Sequence, residues 1–143
     1  MKITVIVVGK LKSQFKEIDD FYQKRIKIYS QLEIIELKEK NDLTAETENI
    51  IKSIPSNAFV VALREEGKSL NSMVFSEFLN EKNLSFGNVC FVIGGAYGFG
   101  NVNEDFSLSI APWTLPHQLA RINLLEQIYR GLSIINGSSY HHG

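Results

Sequence analysis

The chain ends in Tyr140-His141-His142-Gly143, and a tyrosine beside a histidine is its pairing best suited to moving a proton. An imidazole titrates near pH ~6.5, so it takes and returns a proton around neutrality without much help from its surroundings. Adjacent titratable aromatics in a polar tail are seldom there for packing, although a frayed terminus has the same composition. Upstream, Glu126 and Arg130 stand four residues apart in the order that favours a helical ion pair, which accounts for them on its own. His117 follows Leu115-Pro116 at a helix start, a place where a lone histidine caps or packs.

A second pattern is made of backbone. In Phe91-Val92-Ile93-Gly94-Gly95-Ala96-Tyr97-Gly98-Phe99-Gly100, an apolar run breaks into four glycines. The G-G-x-x-G-x-G spacing is not the G-x-G-x-x-G dinucleotide fingerprint. Gly95 and Gly100 have the separation of a phosphate loop, but Asn101 follows where Lys is needed. In open α/β sheets, ligands bind beyond the carboxyl ends of strands, where Gly94 and Gly95 fall. They serve either a tight turn or the close approach of a ligand to bare main chain. No G-x-S-x-G nucleophile or paired-carboxylate pattern occurs. His141 and His142 are adjacent and Cys90 is the only thiol, so there is no metal-site spacing.

The elements that must position these residues alternate in kind. Lys2–Val8, Leu32–Leu37, Ala58–Leu63 and Val89–Ile93 read as strands. Three are near-continuous β-branched or aromatic runs, the pattern of strands buried on both faces; the second is mixed and suits an edge. Helical periods lie between them: Phe15, Ile18, Tyr22, Ile26 and Tyr29, then residues 44–53, then Leu70, Met73, Val74 and Phe78. Such alternation predicts a parallel sheet with helices on its faces, in one domain spanning residues 1–143. A short alternating strand just before Pro112 and Pro116 leads to the longest helix, from His117 to about Ile135. Leu119, Ile122, Leu124, Leu125, Ile128, Tyr129, Leu132 and Ile135 make its apolar arc wide enough to imply cover on more than one side, and hence a partner subunit.

Composition sets outer limits. Of 143 residues, 44% are apolar and 22% charged, so the chain can bury a core without metal or disulfide. The net charge of −1 gives no global field for nucleic acid or membrane. Residues 1–30 nevertheless carry seven Lys/Arg against three acids, either a solvated helix face or a docking face. One cysteine within an apolar run suits a reducing compartment. The apolar stretch Ile3–Val8 is too short for a signal peptide and no run approaches a membrane span, so a cytoplasmic location is expected.

Residues 92–98 (VIGGAYG), 114–121 (TLPHQLAR), 124–131 (LLEQIYRG) and the terminal Tyr140-His141-His142 stand in the order found in one family. Together with the opening residues 1–12 they resemble the RlmH family of SPOUT-superfamily methyltransferases along essentially the whole chain. The set T-L-P-H-x-x-x-R, E-Q-x-Y-R and terminal Tyr-His is specific; G-G-x-x-G alone is weak. The resemblance implies an α/β fold, a parallel sheet flanked by helices, with a C-terminal trefoil knot, and a homodimer. It implies S-adenosylmethionine as cofactor and N3 of a pseudouridine in large-subunit ribosomal RNA (helix 69 of the 23S molecule) as acceptor, within the ribosome. Carried over by motif, cofactor contacts fall on Leu63, Gly94, Gly95 and the loop Ile110, Ala111, Pro112, Trp113, Thr114 and Leu115. Leu63, Ile110, Trp113 and Leu115 offer an apolar slot for adenine.

Because the methyl group arrives activated, the protein chiefly orients donor and acceptor and helps remove the acceptor proton. The resemblance makes His141 the leading base, Tyr140 a stacking or hydrogen-bonding partner of the acceptor, and Arg130 the holder of a phosphate or a developing carbonyl charge. The family commonly ends Tyr-His followed by Lys or Arg; His142-Gly143 here weaken any terminal phosphate contact. Two other readings stand beside this one: a methyltransferase for a different RNA such as transfer RNA, and a non-catalytic dimer that only binds adenosylmethionine or RNA. Retention of Tyr140 and His141 speaks against the second.

Overall fold

Alternate residues of each central strand leave the sheet on opposite sides, and here both sets are apolar. In the computed structural model, which describes residues 1–142, β1 (Lys2–Val8) sends Ile3, Val5 and Val7 to one face and Ile6 and Val8 to the other. β4 (Asn88–Ile93) does the same with Val89, Phe91 and Ile93 against Cys90 and Val92. Both faces are covered, which is why these runs carry no polar alternation. β2 (Gln31–Leu37) alternates in burial and lies at one edge. With β3 (Phe59–Ser69) and β5 (Phe106–Ser109) the order is β2-β1-β4-β3-β5, every pairing parallel.

Three helices cover the first face: α1 (Lys16–Tyr29), α3 (Ser72–Phe86) and α4 (His117–Ile135). On the other face, α2 (Leu43–Ser53) lays Ile50 into a smaller core with Phe99 and Val102 from the segment between β4 and β5. Side-chain caps set two of the helix starts. Asp42 accepts from Thr44 N at 3.0 Å before α2, and Asn71 accepts from Val74 N at 2.8 Å before α3.

The strand expectations hold in position, and the differences have physical causes. β3 runs six residues past Leu63 through the polar stretch Arg64-Glu65-Glu66-Gly67, which bears no apolar signal. It pairs with β5 twice: Leu63 with Leu108, then after an irregularity Lys68 with Leu108 and Ser69 with Ser109. A Cβ on Gly67 would stand 2.7 Å from the Ser107 backbone, so this approach needs glycine. In α1, Ile18 faces outward and Asp19 inward, because Asp19 is the partner of a buried arginine on α4. In α3 the inward stripe is Phe75, Ser76, Leu79 and Asn83, leaving Met73 and Val74 exposed.

Most of the wide apolar arc of α4 is also explained within the chain. The helix lies on the sheet between α1 and α3, with Leu124, Leu125, Ile128 and Leu132 fully or almost fully buried. At Gly131 α3 packs close, a Cβ there meeting Leu79, Phe75 and Ser76 at an ordinary contact distance of 3.5–3.6 Å. Leu119 remains exposed, and neither it nor Ile122 joins a core, so this part of the arc is not covered within the chain.

Cys90 is fully buried, and burial pushes its thiol up to about 12. An aromatic disulfide reagent at pH 8 should leave the native thiol unmodified over minutes and modify one thiol per chain in denaturant. Fast native labelling would contradict the packing of β4 described here.

Candidate active site

A cleft of about 870 Å³ opens at the carboxyl ends of β3, β4 and β5, within the size range of small-molecule sites. Leu63, Ile93, Ile110 and Leu115 give it apolar walls; Gly94 and Gly95 contribute main chain; Glu65 and Glu66 stand among the residues lining it. Eight of the nine residues named as cofactor contacts line this one cavity: Leu63, Gly94, Gly95, Ile110, Ala111, Trp113, Thr114 and Leu115. Pro112 does not, and is exposed. Trp113 is 71% exposed, so its ring does not close an adenine slot. Thr114 Oγ1 donates to Glu65 Oε1 at 2.8 Å, tying the loop after β5 to the β3 extension.

The glycines answer first to the chain itself. A Cβ on Gly94 would come within 2.5 Å of the Phe99 ring and 2.8 Å of Gly98 backbone, and Gly98 has φ +76°. Gly95 and Gly98 pair across a tight reversal, with Gly98 N donating to Gly95 O at 3.1 Å. A ligand in the cleft meets the main chain of this turn rather than a gap left by a missing side chain. Behind the turn, Arg64 holds the following loop. Its Nη1 donates to Phe99 O at 3.2 Å and its Nη2 to Gly100 O at 2.7 Å. Its Nε bonds Glu104, and its guanidinium carbon sits 4.3 Å from the Phe99 ring centre. Arg64 carried no sequence signal, because a single arginine after a strand is ordinary.

The tail gathers at the other end of α4. Tyr140 OH donates to Glu126 Oε2 at 3.0 Å, and Arg130 Nη2 donates to the same oxygen at 2.8 Å. The Tyr140 ring lies 4.5 Å from that of Tyr129 and 4.7 Å from the Arg130 guanidinium carbon. Burial, then hydrogen bonding to Tyr22 and Glu126, raises the Tyr140 phenol well above its ordinary value, so it stays a hydroxyl donor at neutral pH. Arg130 Nη1 lies 3.0 Å from His141 Nδ1. A guanidinium has no lone pair to offer, so Nδ1 accepts and the ring proton sits on Nε2. Glu126, which sequence reasoning reduced to an ion pair, is thus the carboxylate that organises Arg130 and Tyr140 together.

The T-L-P-H-x-x-x-R motif is largely a joint. Gln118 Oε1 accepts from Lys12 N at 2.9 Å and its Nε2 donates to Lys10 O at 2.9 Å, which fastens the turn after β1. Arg121, only 4% exposed, donates to Asp19 Oδ1 at 2.8 Å and also bonds Glu36. His117 borders the cleft and lies 3.1 Å from Gln118 Nε2.

Cleft and tail are not brought together within one chain. His117 and Ala120 of α4 line the cleft, and Arg130 is 10 residues beyond Ala120 on the same helix. At 1.5 Å per residue that is roughly 15 Å of rigid rod.

This α/β sheet places its cleft beyond strand ends, where open sheets bind ligands, and comparison with known proteins gives the class. A family model described as "Predicted SPOUT methyltransferase" matches residues 1–141, and the chain belongs to that family. The family implies the knot. The chain is 39% identical to the ribosomal RNA large subunit methyltransferase H of Carboxydothermus hydrogenoformans and 40% identical to that of Clostridium tetani. In each case the match covers 99% of both chains. It is an rRNA methyltransferase of the SPOUT class. Among the described residues no helix is long and apolar enough to cross a membrane, and no group of three or more His, Cys, Asp or Glu is placed to hold a metal. Gly143 lies outside the described residues.

The Arg64 clamp gives a pH-dependent test. Hydrogen bonding from Arg64 holds the Glu104 carboxyl below its ordinary range although burial opposes this. Because the folded value is the lower one, the pair's contribution is complete above pH ~4.3 and fades as pH falls through the depressed value. Arg64→Met should lower unfolding stability by about 1–3 kcal/mol at neutral pH, and urea titrations at about pH 3 should show the gap narrowing. An equal gap at both pH values would remove Glu104 from the account.

Proposed function

We propose that the enzyme binds S-adenosylmethionine in the cleft and methylates N3 of a pseudouridine in helix 69 of 23S ribosomal RNA. It acts as a homodimer in which each tail serves the other copy's cleft. The carrying observation is the cleft at the strand ends, lined by glycine main chain, the loop after β5 and apolar walls. That chemistry fits the group: aliphatic side chains for the adenosine, main-chain donors and acceptors for its polar edge, and the Glu65 and Glu66 carboxylates for its ammonium and sulfonium charges. When bound, the cofactor supplies an activated methyl group to a nucleophile in line with its sulfonium.

The chain's own residues must then bring the acceptor within ~3–3.5 Å of the donor and take its proton. N3 of the base lies between two carbonyls. Arg130 and the outward Nε2–H of His141 can hydrogen-bond such oxygens and stabilise charge that spreads onto them as N3 is deprotonated. On release from Arg130, the Nδ1 lone pair of His141 becomes available as the base. Tyr140 packs between Tyr129 and Arg130, and from there it would stack on or hydrogen-bond the acceptor base. The roughly 15 Å between tail and cleft along α4 is too far for direct transfer within one chain. A second copy with its α4 crossing the first in the opposite sense closes that gap, and two-fold symmetry completes both sites at once.

Deleting residues 140–143 should leave adenosylmethionine affinity nearly unchanged and lower single-turnover methylation of ribosomes by ~10²–10⁴-fold. His141→Ala should reproduce most of that loss if it is the base, and little of it if Arg130 dominates. Mass spectrometry of ribosomal RNA from cells lacking the protein identifies the nucleotide; loss of a transfer RNA modification instead would move the substrate.

The shared site has its own test. Leu115→Arg, which fills the cleft from a half-buried loop position, and the tail-deleted chain should each be inactive alone. Mixed one to one and re-equilibrated, random pairing gives one working site in half of the dimers, so about a quarter of the parent activity should return. No recovery from subunits proven to exchange would place tail and cleft of one chain in the same site.

A further inference from the structure

We infer that Tyr97 is a stacking platform for an unpaired nucleobase of the RNA strand presented at the cleft. The inference rests on the reading of the cleft as the methyl-donor site.

Tyr97 is 93% exposed, the most exposed of the large aromatic and aliphatic side chains in the protein. Single exposed apolar residues need no explanation in general, but this one is held in place. It sits at the reversal between Gly95 and Gly98, whose pairing, positive φ at Gly98 and close approach of Gly94 to Phe99 leave the turn little freedom. Phe99 is in turn fixed under Arg64. The backbone bearing the ring is held by these contacts, and the residue lines the cleft. Rigid presentation of a two-torsion aromatic limits the entropy lost when something stacks on it.

RNA chemistry supplies what would stack. A base inside a helix cannot bring a ring nitrogen to a methyl donor in a cleft, so the acceptor must be unstacked or flipped out. Its neighbours then lose a stacking partner at the rim, where an aromatic face replaces it without regard to base identity. The chain's net charge of −1 makes this contact more consequential, because it has little general electrostatic grip on phosphates. Trp113 is the other exposed ring lining the cleft, but it belongs to the loop assigned to the cofactor and cannot separate the two roles.

The test compares Tyr97→Ala and Tyr97→Phe with the parent enzyme, measuring KM for ribosomes, kcat, calorimetric affinity for adenosylmethionine and sedimentation mass. A side chain this exposed can be removed with little effect on folding. Tyr97→Ala should raise KM for ribosomes by roughly 5- to 150-fold, the range of one lost base–aromatic stack. Cofactor affinity and mass should stay at the parent values, and Tyr97→Phe should restore KM. An unchanged KM overturns the inference. So does a loss of cofactor affinity, which would make the ring a cover for the donor, or a fall in mass, which would make it a subunit contact. Failure of the underlying reading looks different: the parent protein itself would not bind adenosylmethionine.

Discussion

The structure depends on how α4 is fixed to the sheet, and a buried arginine does much of that fixing. Arg121 lies between α1, β2 and α4 with Asp19, itself 1% exposed, and Glu36 as partners. Burial opposes its charge, and the hydrogen bonds to Asp19 and Glu36 more than compensate. Such a group does not add stability so much as forbid alternatives, because a shift of α4 that separated the pair would leave a desolvated charge at a cost of about 3–5 kcal/mol. The apolar contacts of Leu124, Leu125, Ile128 and Leu132 supply the larger attraction but little direction. The ion pair supplies the register.

Once α4 is fixed, both ends of the site follow. Its first turn carries the loop after β5 to the rim of the cleft, and its last turns hold Glu126 and Arg130 where the chain folds back through Tyr140 and His141. In the proposed shared site, the helix separates the two halves of one chemistry, and association and activity would then be one property.

The cleft is preorganised by different means. Glycines allow the turn after β4 to close on Phe99, and Arg64 ties the loop beyond it back to β3 through two carbonyls and Glu104. These charge-assisted bonds are among the stronger ones a protein makes. They hold the turn bearing Tyr97 from behind, so the enzyme meets RNA with a fixed edge. A net charge of −1 gives little long-range attraction to phosphates, which is the setting for the stacking contact proposed at that edge.

The sequence by itself determined the sheet, because strands buried on both faces must be continuously apolar, and β1, β3 and β4 were legible for that reason. It placed α4 closely, since the helical apolar period runs from His117 to about Ile135 and the helix spans His117–Ile135. Its motifs carried the family and most of the cleft residues. It left three things to tertiary structure. The polar extension of β3 exists because β5 pairs with it, an event between residues some forty positions apart with no local signature. Asp19 turns inward in place of Ile18 because a buried arginine needs a carboxylate more than the core needs one further aliphatic side chain. Most of the wide arc of α4 meant neighbouring helices within the chain, because periodicity reports that a face is covered and never by what.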